Sequence, residues 1–268
     1  MPTDTFDRAA TLAAIDHVAD QMSTMVGSAS DLGIRVPGTP QWTIAETYSH
    51  VATVVPRYSQ GARHEGEWVS SADDLADLNQ RQLVALGPVP EVETVSVRLR
   101  NSLDELRQLI TGLGDDQPTF TFHGGQRIQS DVALGILLGE VVVHGHDIAR
   151  ALHRPWPIDP AHVQLITLGL TPILPGWLDA RASGHNGRYE VRLRGQGVHR
   201  FAFNHGRLTM NPPGAFEPDA IISAAPGPFL LVVYKRISQW PAILAGHLVA
   251  WGRRPWLALT FASRFHRP

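Results

Sequence analysis

The chain of 268 residues is 43% hydrophobic and 18% charged, so it is long enough to bury a sizeable core and to form two domains. A formal net charge of -2 and a sequence pI near 6.7 argue against a general surface for nucleic acids or anionic membranes. The absence of cysteine excludes disulfides, thiolate metal ligands and a thiol nucleophile of the protein's own, so any thiol chemistry must use the sulfur of a small molecule.

The amino-terminal half is predicted to be helical, because hydrophobic residues recur there at three- and four-residue steps. The first helix covers about residues 6–25. The second covers about residues 44–64 and follows a capping-box sequence formed by Thr43 and Glu46. Pro56 lies inside this second helix, where we expect a kink or a break.

One shorter and two long helices complete the predicted first domain. The shorter helix covers about residues 71–86, and the next long helix about residues 91–113. A hairpin-like insert is expected at residues 120–127, and the last long helix covers about residues 130–152, with Ser130 as its N-cap. Four long amphipathic segments joined by polar connections predict a helix bundle over residues 1–154.

The pattern changes after a proline-rich segment that begins at residue 155. Residues 155–183 are expected to form a linker and a helix at about 161–174, and residues 184–268 to form a small α+β domain. The predicted strands of this domain cover residues 189–194, 200–203, 208–210, 220–223 and 248–251, and its helices about 228–236, 239–245 and 254–265. The predicted fold class is therefore multidomain, α followed by α+β.

Two features predict a cytoplasmic protein. The sequence has no run of eighteen or more uncharged apolar residues, which a membrane-spanning helix would need. Its first residues lack the basic region and the apolar core of a secretion signal.

Glu140 and His144 have the spacing of metal ligands within the last long helix. Side chains four residues apart project from the same helical face about one turn apart. A tightly held divalent ion needs at least three protein ligands, and His50, about two turns into the second helix, is the best third candidate. The alternative is a helix-stabilising ion pair beside a hydrogen-bonded histidine. The apolar surroundings of Glu140 favour a metal, because a buried carboxylate needs a partner.

The motifs, in this order, resemble those of the mycothiol-dependent maleylpyruvate isomerase family. In the first half the resemblance rests on Pro37-Gly38, Trp42-Thr43, His50, the run from Glu140 to His144, and Asp147. In the second half it rests on the run from Asp219 to Ile222 and the run from Ala245 to Gly252. The resemblance covers nearly the whole chain and implies a DinB-like four-helix metal bundle followed by a domain similar to sterol carrier proteins.

The resemblance also implies roles for individual residues. The family's metal ligands match His50, Glu140 and His144, and Asp147 matches an acidic position that would orient a ligand imidazole. Zinc is the expected ion, although nickel, manganese or iron could occupy the same ligands. Asp147 could also be an ordinary polar residue of the helix.

The implied function is that of a metal-dependent, mycothiol-dependent enzyme. A thiol bound to a divalent metal is deprotonated, and the thiolate would attack an electrophilic small molecule. A cis-trans isomerase would add the thiolate to an activated double bond, allow rotation and release it, whereas an S-transferase would displace a leaving group. The sequence leaves these two reactions open, and it also leaves open a non-catalytic lipid- or small-molecule-binding protein whose metal is structural or lost.

A cationic side chain is expected to hold an anionic substrate. Arg81 and Arg236 are the candidates, because a guanidinium binds a carboxylate through two parallel hydrogen bonds. Either could instead be a solvated surface arginine. The expected partners are a low-molecular-weight thiol and an electrophilic substrate, with neither nucleic acid nor membrane, and the chain could be a monomer or a homodimer.

Overall fold

A computed structural model describes residues 6–88, 90–114 and 117–266. The chain divides into two compact units, the first formed by residues up to 158 together with 165–170, and the second by residues 159–164 and those from 171 onward. The predicted class, a helix bundle followed by a small α+β domain, is confirmed. The domain boundaries expected near residues 154 and 184 stay predictions.

Five α-helices lie entirely within the described part of the first unit. They are α1 (Arg8–Gly27), α2 (Ile44–Ala62), α3 (Leu75–Ala85), α4 (Val92–Gly112) and α5 (Ser130–Ala151). The four long helices expected from the apolar periodicity are α1, α2, α4 and α5. α2 packs against both α4 and α5, and α1 packs against α5, so α5 lies in the core.

The ends of α2 and α5 show where local sequence determines structure. Thr43 and Glu46 form the expected capping box at the start of α2. The helix runs without interruption through Pro56, so the break considered above does not occur. Ser130 is the first residue of α5 rather than its N-cap, which is Gln129 without a side-chain cap. The observed N-cap therefore differs from the predicted one by a single residue, which is the usual variation in assigning helix ends.

α5 is long and apolar enough to span a membrane, yet 83% of its most apolar stretch is buried within the protein. Its flanking helices cover it, so α5 is the core helix of the bundle. A polar side chain on this helix is thereby placed in an apolar interior.

Two short hairpins accompany the bundle. β1 (Arg35–Val36) pairs antiparallel with β2 (Thr39–Thr43), directly before α2. This hairpin was not expected from the sequence. β3 (Thr119–Thr121) pairs antiparallel with β4 (Arg127–Gln129), as the adjacent glycines predicted, and leads into α5.

The second unit contains a five-stranded sheet in the order β7-β6-β5-β8-β9. α6 (Pro160–Leu170) is divided between the two units. The sheet strands are β5 (Gly187–Leu193), β6 (Val198–Asn204), β7 (Arg207–Met210), β8 (Ala220–Ala224) and β9 (Leu248–Trp251), with α7 (Pro226–Val233) and α8 (Gln239–Leu244) between β8 and β9. β5 and β8 are parallel, and the other neighbours are antiparallel. All five predicted strands are therefore present.

The helix predicted at residues 254–265 is wrong in type. The segment forms two 3-10 turns, Pro255–Thr260 and Ala262–Arg264. Phe261 and Phe265 are four residues apart, which suits a helical face, but both rings instead contact Phe201 of β6, at centroid distances of 4.9 and 6.3 Å. Tertiary packing of the aromatic core outweighs the local periodicity here.

Candidate metal centre

Three side chains predicted as ligands converge between α2 and α5. His50, Glu140 and His144 each offer one ligand atom, and these atoms lie within 4.8 Å of one another. The exposed fraction is 1% for His50 and 6% for His144, while Glu140 is partly exposed. The convergence follows from the packing of α2 on α5, which sequence spacing alone does not guarantee. Metal binding by these residues stays a prediction.

The geometry fits a small divalent cation. His144 Nε2 and Glu140 Oε2 are 3.4 Å apart. Two ligands bound to zinc at about 2.0–2.2 Å in a tetrahedron would be separated by about 3.3–3.6 Å. The Nδ1 atom of His50 is buried and has no hydrogen-bond partner among the described residues, whereas the Nδ1 atom of His144 lies on the side of Asp147, 3.7 Å from its Oδ2. Buried polar atoms are rarely left in this state, so a hydrogen-bonded histidine explains the site less well than a ligand does.

Burial keeps His50 in the form that a metal requires. Its pKa is lowered well below the ordinary value, mainly by burial and then by the charges of His144 and Arg57, whereas the charge of Glu140 acts in the opposite direction. A neutral imidazole is the form that binds a metal. His50 therefore needs no deprotonation by another group at neutral pH.

Asp147 lies on the far side of His144 from Glu140. Its Oδ2 is 3.7 Å from His144 Nδ1, and the residue is completely buried. Gly38, in the turn between β1 and β2, packs directly on this carboxyl group: a Cβ at Gly38 would lie 2.3 Å from its carbon. The carboxylate is thus positioned to orient a ligand histidine, as such carboxylates do in metalloproteins.

Trp42 forms a wall beside His50. Their ring centroids are 4.6 Å apart, and the indole Nε1 donates a hydrogen bond to Gln80 Oε1 at 2.9 Å. The ring of His50 also meets that of His144 edge to face, with the ring centroids 5.2 Å apart. These two ring contacts restrict the rotamer of His50 and prepare the site for a ligand.

The two arginines proposed from the sequence are not members of this cluster. Arg81 is 60% exposed and donates to Glu67 at 2.8 Å. Arg236 belongs to the second unit, where it is buried and donates to the carbonyl of Tyr234 at 2.9 Å. Substrate binding by either residue stays a prediction.

Two buried groups near the cluster received no role in the sequence analysis. Arg57 is 6% exposed, and its charge interacts with those of His50 and Glu140. His123 is 3% exposed, and its Nδ1 accepts a hydrogen bond from the Val69 N–H at 3.1 Å. Burial, followed by the charge of Arg57, lowers the pKa of His123 to about 4. The position of Arg57, seven residues after His50 on one helical face, is a signal that could have found it.

Comparison with known proteins agrees with the observed fold. No match was found among curated proteins. A crystal structure of the mycothiol-dependent maleylpyruvate isomerase superimposes with a TM-score of 0.57 and 12% identity, covering 91% of this chain and 92% of that one. The structure of its H52A mutant superimposes with a TM-score of 0.57 and 11% identity, again covering 91% of this chain and 92% of that one. At such identity these likenesses establish the fold.

The family model described as "Mycothiol maleylpyruvate isomerase N-terminal domain" matches residues 11–149. The matched segment is more than half of the chain and contains all three candidate ligands. The chain belongs to the mycothiol maleylpyruvate isomerase family.

Proposed function

We propose that the protein is a metal- and thiol-dependent enzyme that acts on an electrophilic small molecule, as a cis-trans isomerase related to maleylpyruvate isomerase or as an S-transferase. The observation that carries this proposal is the convergence of two buried histidines, His50 and His144, with the partly exposed Glu140 between α2 and α5. Family membership supports it, and so does the fold shared with the mycothiol-dependent maleylpyruvate isomerase.

Each residue of the site has a defined task. His50 and His144 would hold a divalent ion, most simply zinc, through neutral imidazoles, and Glu140 would supply the third bond and one negative charge. Three protein ligands would leave a position for a thiol, and a divalent ion held here would lower the pKa of that thiol so that it reacts as a thiolate at neutral pH. Asp147 would keep His144 in the correct tautomer.

The thiol must come from outside the protein, because the chain has no cysteine. Mycothiol is the proposed thiol, since the name of the family includes it. A cytoplasmic location belongs to the same proposal, because low-molecular-weight thiols are kept reduced there. Trp42 closes one side of the site and helps to exclude water from it.

The first experiment combines elemental analysis of the purified protein with calorimetric titration of mycothiol. We expect about one zinc ion per chain in the wild type, its loss in His144→Ala, and thiol binding only in the protein that contains metal. His146→Ala is the matched control, because His146 lies on the same helix but outside the ligand cluster.

Two results would contradict the proposal. One is the absence of metal from the wild type even after dialysis against zinc. The other is thiol binding of equal strength with and without metal. Either result would direct attention to the alternative of a non-catalytic lipid- or small-molecule-binding protein, which screening of lipids against the full chain would test.

A further inference from the structure

Arg57 is a buried cation on the same face of α2 as His50. The two residues are seven positions apart, or about two helical turns. Side chains on a helix lean toward its amino terminus, so the long side chain of Arg57 extends back in the direction of His50. Only 6% of Arg57 is exposed, which is unusual for an arginine without a carboxylate partner.

One edge of the guanidinium is fixed and another is not. Nε donates to Gln82 Oε1 of α3 at 2.7 Å. Nη2 is buried and has no hydrogen-bond partner among the described residues. No carboxylate in the described part of the chain forms an ion pair with Arg57. A buried charged N–H group without an acceptor is costly, so it is expected where a ligand completes it.

The groups around Arg57 place it beside the metal centre. Burial lowers its pKa, and the charge of Glu140 is the largest influence in the opposite direction, ahead of Tyr58 and Glu67. Arg57 in turn lowers the pKa of His50 and of His123. The same guanidinium is therefore near a metal-ligand carboxylate, a ligand imidazole and the second buried histidine.

We propose that Arg57 binds an anionic group, in particular a carboxylate, on the molecule that occupies the open side of the His50–Glu140–His144 centre. Gln82 is a positioning residue, because its amide oxygen accepts the hydrogen bond of Nε and leaves Nη2 available to a ligand. This role rests on the proposed function, since the metal centre defines what Arg57 lies beside. The carboxylate belongs either to the electrophilic substrate or to a thiol other than mycothiol, because the cysteine carboxyl group of mycothiol is in an amide bond.

The test uses the zinc-loaded full chain and two pairs of probes matched in shape but not in charge. Succinate and its neutral diamide represent the substrate carboxylate, and 3-mercaptopropionate and 2-mercaptoethanol represent the thiol. We expect the wild type to prefer at least one anionic probe over its neutral partner by about tenfold or more, as for a charge-assisted hydrogen bond. Arg57→Met should abolish that preference and Arg57→Lys should keep part of it, with zinc content unchanged in both.

Arg63→Met is the control variant. Arg63 follows Arg57 by six residues at the end of α2, but it is 42% exposed and paired with Glu105 at 2.8 Å, so its loss should leave the preference intact. Gln82→Leu should weaken the preference without removing it. Loss of the preference for succinate over its diamide in Arg57→Met assigns the carboxylate to the substrate. Loss of the preference for 3-mercaptopropionate over 2-mercaptoethanol assigns it to the thiol.

A measurement on the wild-type protein tests the role of Arg57 even where a variant does not fold. The Nε–H resonance of Arg57, assigned in a protein with labelled arginine, should shift on titration with the preferred anion. An unmoved resonance, or a preference that survives Arg57→Met, overturns the role of Arg57. Failure of both thiols to bind the wild type, combined with an Arg57-dependent preference for succinate, would overturn the proposed thiol enzyme and leave the anion site standing.

Discussion

His123 predicts a measurable dependence of stability on pH. The imidazole is buried against Trp68 and has a pKa of about 4, set first by burial and then by the charge of Arg57. In the unfolded chain the pKa of a histidine is about 6.5. Because the folded pKa is the lower one, the unfolded state binds the proton first as the pH falls. The stabilisation is fully present above about pH 6.5 and is lost between about pH 6.5 and pH 4.

The size of the effect follows from the difference between the two pKa values. A difference of about 2.5 units corresponds to about 3 kcal/mol, or roughly 1.4 kcal/mol for each pH unit within the window. His123→Asn is the matched variant, since an asparagine oxygen can still accept the hydrogen bond from the Val69 N–H but does not titrate.

The assay is urea unfolding of wild type and His123→Asn from about pH 7.5 to about pH 4.5, with the imidazole titration followed by NMR. Other titrating groups contribute equally to both proteins, so the difference between the two curves isolates His123. We expect the wild type to lose more stability than the variant as the pH falls. Parallel curves, or an NMR pKa near 6.5, would refute the reasoning.

Three further substitutions test the environment of His144 and the contact between α5 and α6. Asp147→Asn should weaken zinc binding about 10- to 100-fold, measured by competition with a chelator, and an unchanged affinity would remove Asp147 from its orienting role. Gly38→Ala should lower the unfolding free energy by about 1–3 kcal/mol and should also lower the zinc affinity, because its Cβ would lie 2.3 Å from the carboxyl group of Asp147. Gly27→Ala is the control and should change neither quantity, since no atom lies within 4 Å of a Cβ at Gly27. Gly135→Ala should lower the melting temperature, because its Cβ would lie 2.5 Å from a backbone carbonyl oxygen of α6. Gly112→Ala is the control, since a Cβ at Gly112 would meet no atom within 4 Å. Equal melting temperatures for the two variants would contradict the close approach of α5 and α6.

The parts of the site that the sequence predicts are those set by local structure. Glu140 and His144 share one helical face whatever surrounds the helix, and the capping box at Thr43 fixes where α2 begins. The position of His50 on α2 then follows. That α2 and α5 would pack with these faces together was available only through the resemblance to a known family.

The parts that the sequence does not predict depend on contacts between distant segments. Arg57 is buried because α3 supplies Gln82, twenty-five residues later in the chain. His123 is buried because the segment containing Val69 and Trp68 packs over it. The hairpin of β1 and β2 is too short to give a periodic signal. The spacing of Arg57 from His50 places the two on one face of α2, but the contacts that bury Arg57 and His123 cannot be inferred from the spacing of residues along one element.

The distribution of polar side chains in the bundle bears on the choice between an enzyme and a carrier. His50, Arg57 and His144 are at most 6% exposed, and each has a buried nitrogen without a hydrogen-bond partner among the described residues. Each such atom lowers stability, and apolar side chains of similar volume would fill the same space at less cost. A carrier of apolar molecules gains nothing from this arrangement, whereas a site for a cation and an anionic ligand requires it. Violations of ordinary packing rules gathered at one place are typical of functional sites, and here they gather around the one cluster of potential metal ligands found in the described residues.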